Sequence, residues 1–109
     1  MGYTYAVLGA GRQGTAAAYD LAQYGEAQRL IIADQNLGLA QDASARVNGL
    51  LQRSLVRAAA ANAGDHSALV RLLHGVDAVV NAVPYRFNLG VAKAAIEAGA
   101  HLCDLGGKT

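Results

Sequence analysis

The chain has 109 residues, 53% of them hydrophobic and 16% charged, with a formal net charge of +1. That length and balance describe one globular domain that buries roughly two-thirds of its unfolded surface, and they exclude a disordered chain. The scattered Lys and Arg residues give no bulk electrostatic case for binding nucleic acid or a membrane, and the single cysteine, Cys103, excludes an internal disulfide and any Cys-paired metal site.

A short apolar strand is predicted over residues 3–8. It runs into Gly9-Ala10-Gly11-Arg12-Gln13-Gly14, a G-x-G-x-x-G turn, and then an alanine-rich helix over about 11–24. Between a strand and a helix this turn is a dinucleotide-binding signal, and each glycine has its own task. Gly9 turns the chain off the strand. Gly11, having no Cβ, lets the backbone approach a pyrophosphate. Gly14 lets the helix pack tightly on the sheet. Free N–H groups and the dipole at the helix start favour phosphate. Arg12 and Gln13 belong to the same cofactor-binding loop, where Arg12 can add a cation. Ala17, Leu21 and Tyr24, at i, i+4 and i+7, are the expected buried stripe, and Gly25 the stop.

The second strand, residues 29–34, is apolar after Arg29, as expected when helices cover both faces of a parallel sheet. It ends in Asp34, 20 residues past Gly14. A carboxylate there accepts hydrogen bonds from the adenosine ribose hydroxyls and repels a 2′-phosphate. Gln35 and Asn36 follow, with no arginine to receive such a phosphate, so the pattern predicts NAD over NADP. Methyltransferases using S-adenosylmethionine usually carry a G-x-G-x-G loop, which would need glycine where this chain has Gln13. FAD enzymes usually prefer Glu at the end of the second strand and lack a helical crossover after the third.

Asn36 is the predicted cap of a helix over about 37–48, with Leu39, Ala43 and Val47 on its buried face and Asn48-Gly49 as its end. The third strand is expected at about 55–60. Its alanine run prefers helix on propensity, so the alternating architecture decides for strand. Asp65 is placed to cap a short helix containing Leu69, Leu72 and Leu73 and closed by Gly75. Residues 78–82 form the fourth strand, broken at Val83-Pro84. A helix over about 87–98 follows, with Ala92, Ala95 and Ile96 on its face and Gly99 as its stop. The last strand covers about 101–105. Right-handed crossovers then give a doubly wound, Rossmann-type α/β sheet of five parallel strands ordered 3-2-1-4-5. The ligand crevice lies at the carboxyl ends of the first and fourth strands, with Gly9, Asp34, Val83 and Pro84 along it and Asp104 as a further candidate.

No apolar run approaches the ~20 residues of a membrane span, and the amino terminus enters a strand directly, leaving no signal peptide. These features suit a cytoplasmic protein.

The segments Gly9-Ala10-Gly11, Ala63-Gly64-Asp65, Asn81-Ala82-Val83-Pro84-Tyr85-Arg86-Phe87-Asn88 and Asp104-Leu105-Gly106-Gly107 resemble the saccharopine dehydrogenase family, most of all its lysine 6-dehydrogenase-type members. The resemblance covers the whole chain but only the family's amino-terminal cofactor domain. Family members continue into a substrate and dimerisation domain to which nothing here corresponds. It implies that Gly9, Gly11 and Gly14 cradle the pyrophosphate and Asp34 holds the adenosine ribose. Asp65 would lie near the adenine, Ala82-Val83-Pro84 near the nicotinamide half, and Tyr85 and Asn88 toward the substrate. The family includes NAD and NADP users. The implied reaction is hydride transfer from a carbon bearing an amine to the nicotinamide. The amino-acid-binding groups would lie on the absent part, so this chain alone is expected to be inactive. The alternative is a stand-alone nucleotide-binding or redox-sensing module. A bare fifth-strand edge predicts a dimer or larger assembly.

Several residues carry two readings. Asp65 suits a helix cap or an adenine contact. Asn81, polar in an apolar strand, either satisfies a local backbone group or faces ligand. Tyr85 is a proton donor or a packed loop anchor, and Asp104 orders a loop or touches ligand. His66, His74 and His101 lack metal-ligand spacing and read as surface residues. Cys103 is expected as a small core residue.

Overall fold

The computed structural model describes residues 2–104, in which five strands alternate with four helices. These are β1 (Tyr3–Leu8), α1 (Arg12–Tyr24), β2 (Ala27–Asp34), α2 (Leu37–Leu51), β3 (Val56–Ala60), α3 (His66–Leu73), β4 (Ala78–Asn81), α4 (Asn88–Ala98) and β5 (His101–Asp104), with a 3-10 turn over Tyr85–Phe87 before α4. The sheet order is β3-β2-β1-β4-β5 and every pairing is parallel, as the β-α alternation predicts. The expected extension of the last strand to Leu105, and the Gly106-Gly107 segment, lie outside the described residues.

Register brings the site's elements level. Leu8 pairs with Ala33 on one side and Asn81 on the other, and Asn81 pairs with Asp104. Backbone hydrogen bonds continue this alignment past the strand ends. Gly9 donates to the Ala33 carbonyl, Ala61 to that of Asp34, and Ala82 to that of Leu8. The loops following β1, β2, β3 and β4 therefore leave the sheet at one edge.

Alternating side chains feed two cores, one on each face. Val7, Leu30, Ile32 and Val80 join Ala18 and Ala22 of α1 and Ala40, Ala43 and Val47 of α2. Ala6, Leu8, Ala33 and Val79 join Leu69 and Leu73 of α3 and Val91, Ala94 and Ala95 of α4. This two-sided burial is why β2 reads as an apolar run. No helix among the described residues is long and apolar enough to cross a membrane.

The helix faces correct the sequence-based expectation. α1 buries Gly14, Ala18 and Ala22, one position on from the predicted stripe, and Tyr24 is 75% exposed. α2 buries Ala40, Ala43, Ser44 and Val47, leaving Leu39 exposed, and it passes through Asn48-Gly49 to Leu51, with Gln52 as a left-handed cap. α4 buries Val91, Ala94 and Ala95, whereas Ile96 is 79% exposed. The alternative faces of these helices differ mainly in alanines, so hydrophobic period gives little contrast between them. β2 begins two residues earlier than predicted, where Ala27 pairs with Tyr3, and β4 stops at Asn81. Cys103 is exposed, on an edge strand of the described sheet, and is not a core residue.

The caps follow expectation. Asn36 Oδ1 accepts from the Leu39 N–H at 3.2 Å and Asp65 Oδ1 from the Ala68 N–H at 3.1 Å. Gly75 and Gly99, with φ of +82° and +80°, take up the left-handed backbone after α3 and α4.

Candidate functional site

The glycine turn is shaped by what a side chain would strike. A Cβ on Gly14 would overlap the Gly9 carbonyl oxygen, so only glycine brings the first turn of α1 this close to the loop. Gly9 has φ +105°, and a Cβ there would lie 2.8 Å from the Ala82 carbonyl oxygen. The ends of β1 and β4 are thus in direct contact. Gly11 differs from both, because a Cβ on it would meet nothing within 4 Å. Its bare backbone faces open space at the start of α1, where no side chain caps the free N–H groups. That open approach and those donors suit a phosphate.

Asp34 organises the other side of the turn. Its Oδ2 accepts the Ala10 N–H at 2.8 Å and its Oδ1 accepts the Asn36 N–H at 2.8 Å. The carboxylate therefore pins the glycine loop to the end of β2. An ionised carboxylate has about four acceptor positions, so capacity remains for hydroxyl donors. Across the cleft, buried Asn81 donates through Nδ2 to Asn88 Oδ1 at 2.7 Å and accepts the Val83 N–H at 3.3 Å. Its polar atoms hold the β4–α4 turn in shape, the structural one of its two readings.

These loops enclose a cleft of about 240 Å³. Of the predicted residues it gathers Gly9, Gly11, Asp34, Ala82, Val83 and Pro84. Gly14 lies beneath the loop, and Gln13 is exposed on the first turn of α1 without lining the cleft. Arg12 lines a groove between α1 and α2 that shares Gly11 with the cleft. Asp65 caps α3 and is likewise not in the lining. Tyr85 opens the 3-10 turn and Asn88 begins α4, placing both backbones just beyond the cleft's Pro84 wall. The Asp104 backbone ends β5 beside Asn81.

Sequence reasoning missed the rest of the lining, including Ala61 and Ala63 after β3 and the neighbours Arg86 and Phe87. Phe87 reaches the loop after β3, where its ring lies 3.8 Å from a Cβ built on Gly64. The Arg86 guanidinium sits over that ring, 4.8 Å from its centroid. The available signal was Pro84, which cannot continue a central ladder and so marks a turn beyond β4.

A family profile for the saccharopine dehydrogenase NADP binding domain matches residues 5–109. The chain belongs to the saccharopine dehydrogenase family. Saccharopine dehydrogenase (L-Glu forming) from Saccharomyces cerevisiae is similar over 94% of this chain at 25% identity, with a TM-score of 0.79. This chain spans 21% of the yeast enzyme's length. Two further structures share the fold. Quinate dehydrogenase from Corynebacterium glutamicum in complex with NAD matches at 22% identity and TM-score 0.68, covering 92% of this chain and 43% of its own. The NADPH-dependent reductase YwfH, involved in bacilysin biosynthesis, matches at 14% identity and TM-score 0.78, covering 95% and 58%. The chain is thus a Rossmann-type, NAD(P)-binding domain of the saccharopine dehydrogenase family.

Proposed function

We propose that this domain binds NAD(H) for an amino-acid dehydrogenase of the saccharopine or lysine 6-dehydrogenase type and positions the nicotinamide for hydride transfer. The observation that carries the reading is the convergence of Gly9, Gly11, Asp34 and Ala82–Pro84 on one cleft at the carboxyl edge of the sheet. Gly11 and the start of α1 take the pyrophosphate, and Asp34 takes the adenosine ribose through its remaining acceptor positions. The turn held by Asn81 lies against the nicotinamide half, while Tyr85, Asn88 and Asp104 are the candidates facing substrate. The cofactor supplies the hydride chemistry when bound. This chain's residues bind and orient it, with Asp65 acting as a helix cap near the adenine end.

The family profile's description favours NADP, whereas Asp34 followed by Gln35 and Asn36 favours NAD. A carboxylate in that position repels a 2′-phosphate and no arginine follows it. Titration of the chain with NADH and NADPH, followed by nicotinamide fluorescence, tests both parts. NADH binding is expected to be the tighter, and equal or tighter NADPH binding would contradict the assignment to Asp34. No binding of either dinucleotide would overturn the reading of the cleft. Groups that hold the amino acid are assigned to the remainder of a longer protein, so turnover of lysine or saccharopine by this chain alone is not expected.

A further inference from the structure

A dinucleotide in this cleft creates a charge problem that the glycine turn only partly meets. Its diphosphate brings two negative charges beside the Asp34 carboxylate. The Ala10 N–H is already held by Asp34, and Arg12, the loop cation, is not in the cleft's lining but in a groove between α1 and α2 that shares Gly11 with it. Among the described residues lining the cleft, Arg86 is the only arginine or lysine. It forms no salt bridge among the described residues. Its position is defined as well as its charge. Phe87 packs against the core between α3 and α4, and the guanidinium rests on the face of that ring. A guanidinium offers several donors in a planar fork that matches phosphate oxygens.

We propose that Arg86 binds the diphosphate of the cofactor, so that the phosphates are held between the start of α1 on one side and the Arg86–Phe87 stack on the other. The inference rests on the dinucleotide reading of the cleft. It assigns the turn after β4 a part in cofactor affinity, through a residue whose charge answers that of Asp34.

The experiment compares the wild-type chain with R86M, R86Q and R86K, using NADH directly and NADPH, ADP-ribose and adenosine as competitors. Failure of the wild-type chain to bind NADH would sink the cleft reading itself. With wild-type binding established, R86M and R86Q are expected to weaken NADH and ADP-ribose by roughly 10- to 100-fold while leaving adenosine within about twofold. The salt dependence of NADH binding should flatten in both variants, and R86K should recover part of the affinity. Unchanged circular dichroism and melting temperature identify the loss as local. Wild-type affinity for ADP-ribose in R86M and R86Q would overturn the proposal. So would an equal loss for adenosine, which would mark stacking on the base. A loss confined to NADPH would overturn it too, by marking the 2′-phosphate as the ligand.

Discussion

Within the G-x-G-x-x-G turn, Gly11 and Gly14 make opposite predictions because their surroundings differ. At Gly14 a Cβ would overlap the Gly9 carbonyl and also touch Val7 Cγ1 at 3.4 Å. Gly14→Ala should therefore cost about 2–3 kcal/mol of folding stability, as an overpacked position does, and lose cofactor binding with it. Gly11 has φ −74°, which any residue adopts, and space around it. In Gly11→Ala the lost flexibility of the unfolded chain offsets the poorer cap, keeping stability within about 1 kcal/mol. NADH affinity should nevertheless fall, because the methyl group occupies the phosphate's approach. Denaturant unfolding beside NADH titration separates the two effects, and wild-type affinity in Gly11→Ala would show that no phosphate approaches there. Asp34 gives a related test. An amide has one acceptor oxygen, so in Asp34→Asn either the Ala10 or the Asn36 N–H loses its partner. The expected destabilisation is about 1–2 kcal/mol, with a rise in the ratio of NADPH to NADH affinity. An unchanged ratio in paired titrations would remove Asp34 from cofactor discrimination.

At the scale of elements, what was legible in the sequence was what local chemistry decides. The first strand, the glycine turn, the caps at Asn36 and Asp65 and the strand order all rest on short-range patterns or on the handedness of β-α crossovers. Asn48 shows where that stops. Followed by Gly49 it reads as a helix end, yet α2 continues past it. Its side chain reaches instead to the start of β3, donating to the Val56 carbonyl at 2.9 Å and accepting the Leu55 and Val56 N–H groups at 3.1 and 2.9 Å. That bridge depends on where β3 lies, which no local pattern states. The lining by Arg86 and Phe87 was hidden for the same reason, since a cleft belongs to the assembled loops. Asn48→Ala strips partners from three backbone groups and should cost about 2–3 kcal/mol in denaturant unfolding. Ser44 of α2 carries the opposite prediction. Its Oγ is buried with no hydrogen-bond partner among the described residues, so Ser44→Ala removes an unmet polar group at nearly constant shape. A gain of about 1 kcal/mol is expected, and a loss would reveal a partner for the hydroxyl.

At the scale of the molecule, the cleft draws on loops that follow four different strands. Ala10 of the glycine turn joins the core beneath α1 and α2, while Ala61, Ala63, Val83 and Phe87 pack against the core beneath α3 and α4. A ligand touching both sets ties together the two halves of the domain, and unfolding either half destroys its site. Binding must then appear as global stability. A ligand at 100 times its dissociation constant adds about 2.7 kcal/mol, which for a domain of this size raises the melting temperature by roughly 10 °C or more. NADH should produce that rise at a lower concentration than NADPH, given the Asp34 carboxylate. Adenosine, which lacks the diphosphate and the nicotinamide half, should give a much smaller one at equal concentration. Hydrogen exchange locates the effect: NADH should slow exchange both in the turn over residues 9–14 and in the segment over 83–87. Protection confined to the glycine turn would mean that the ligand engages one half of the domain, and the loop after β4 would then have no part in holding the cofactor.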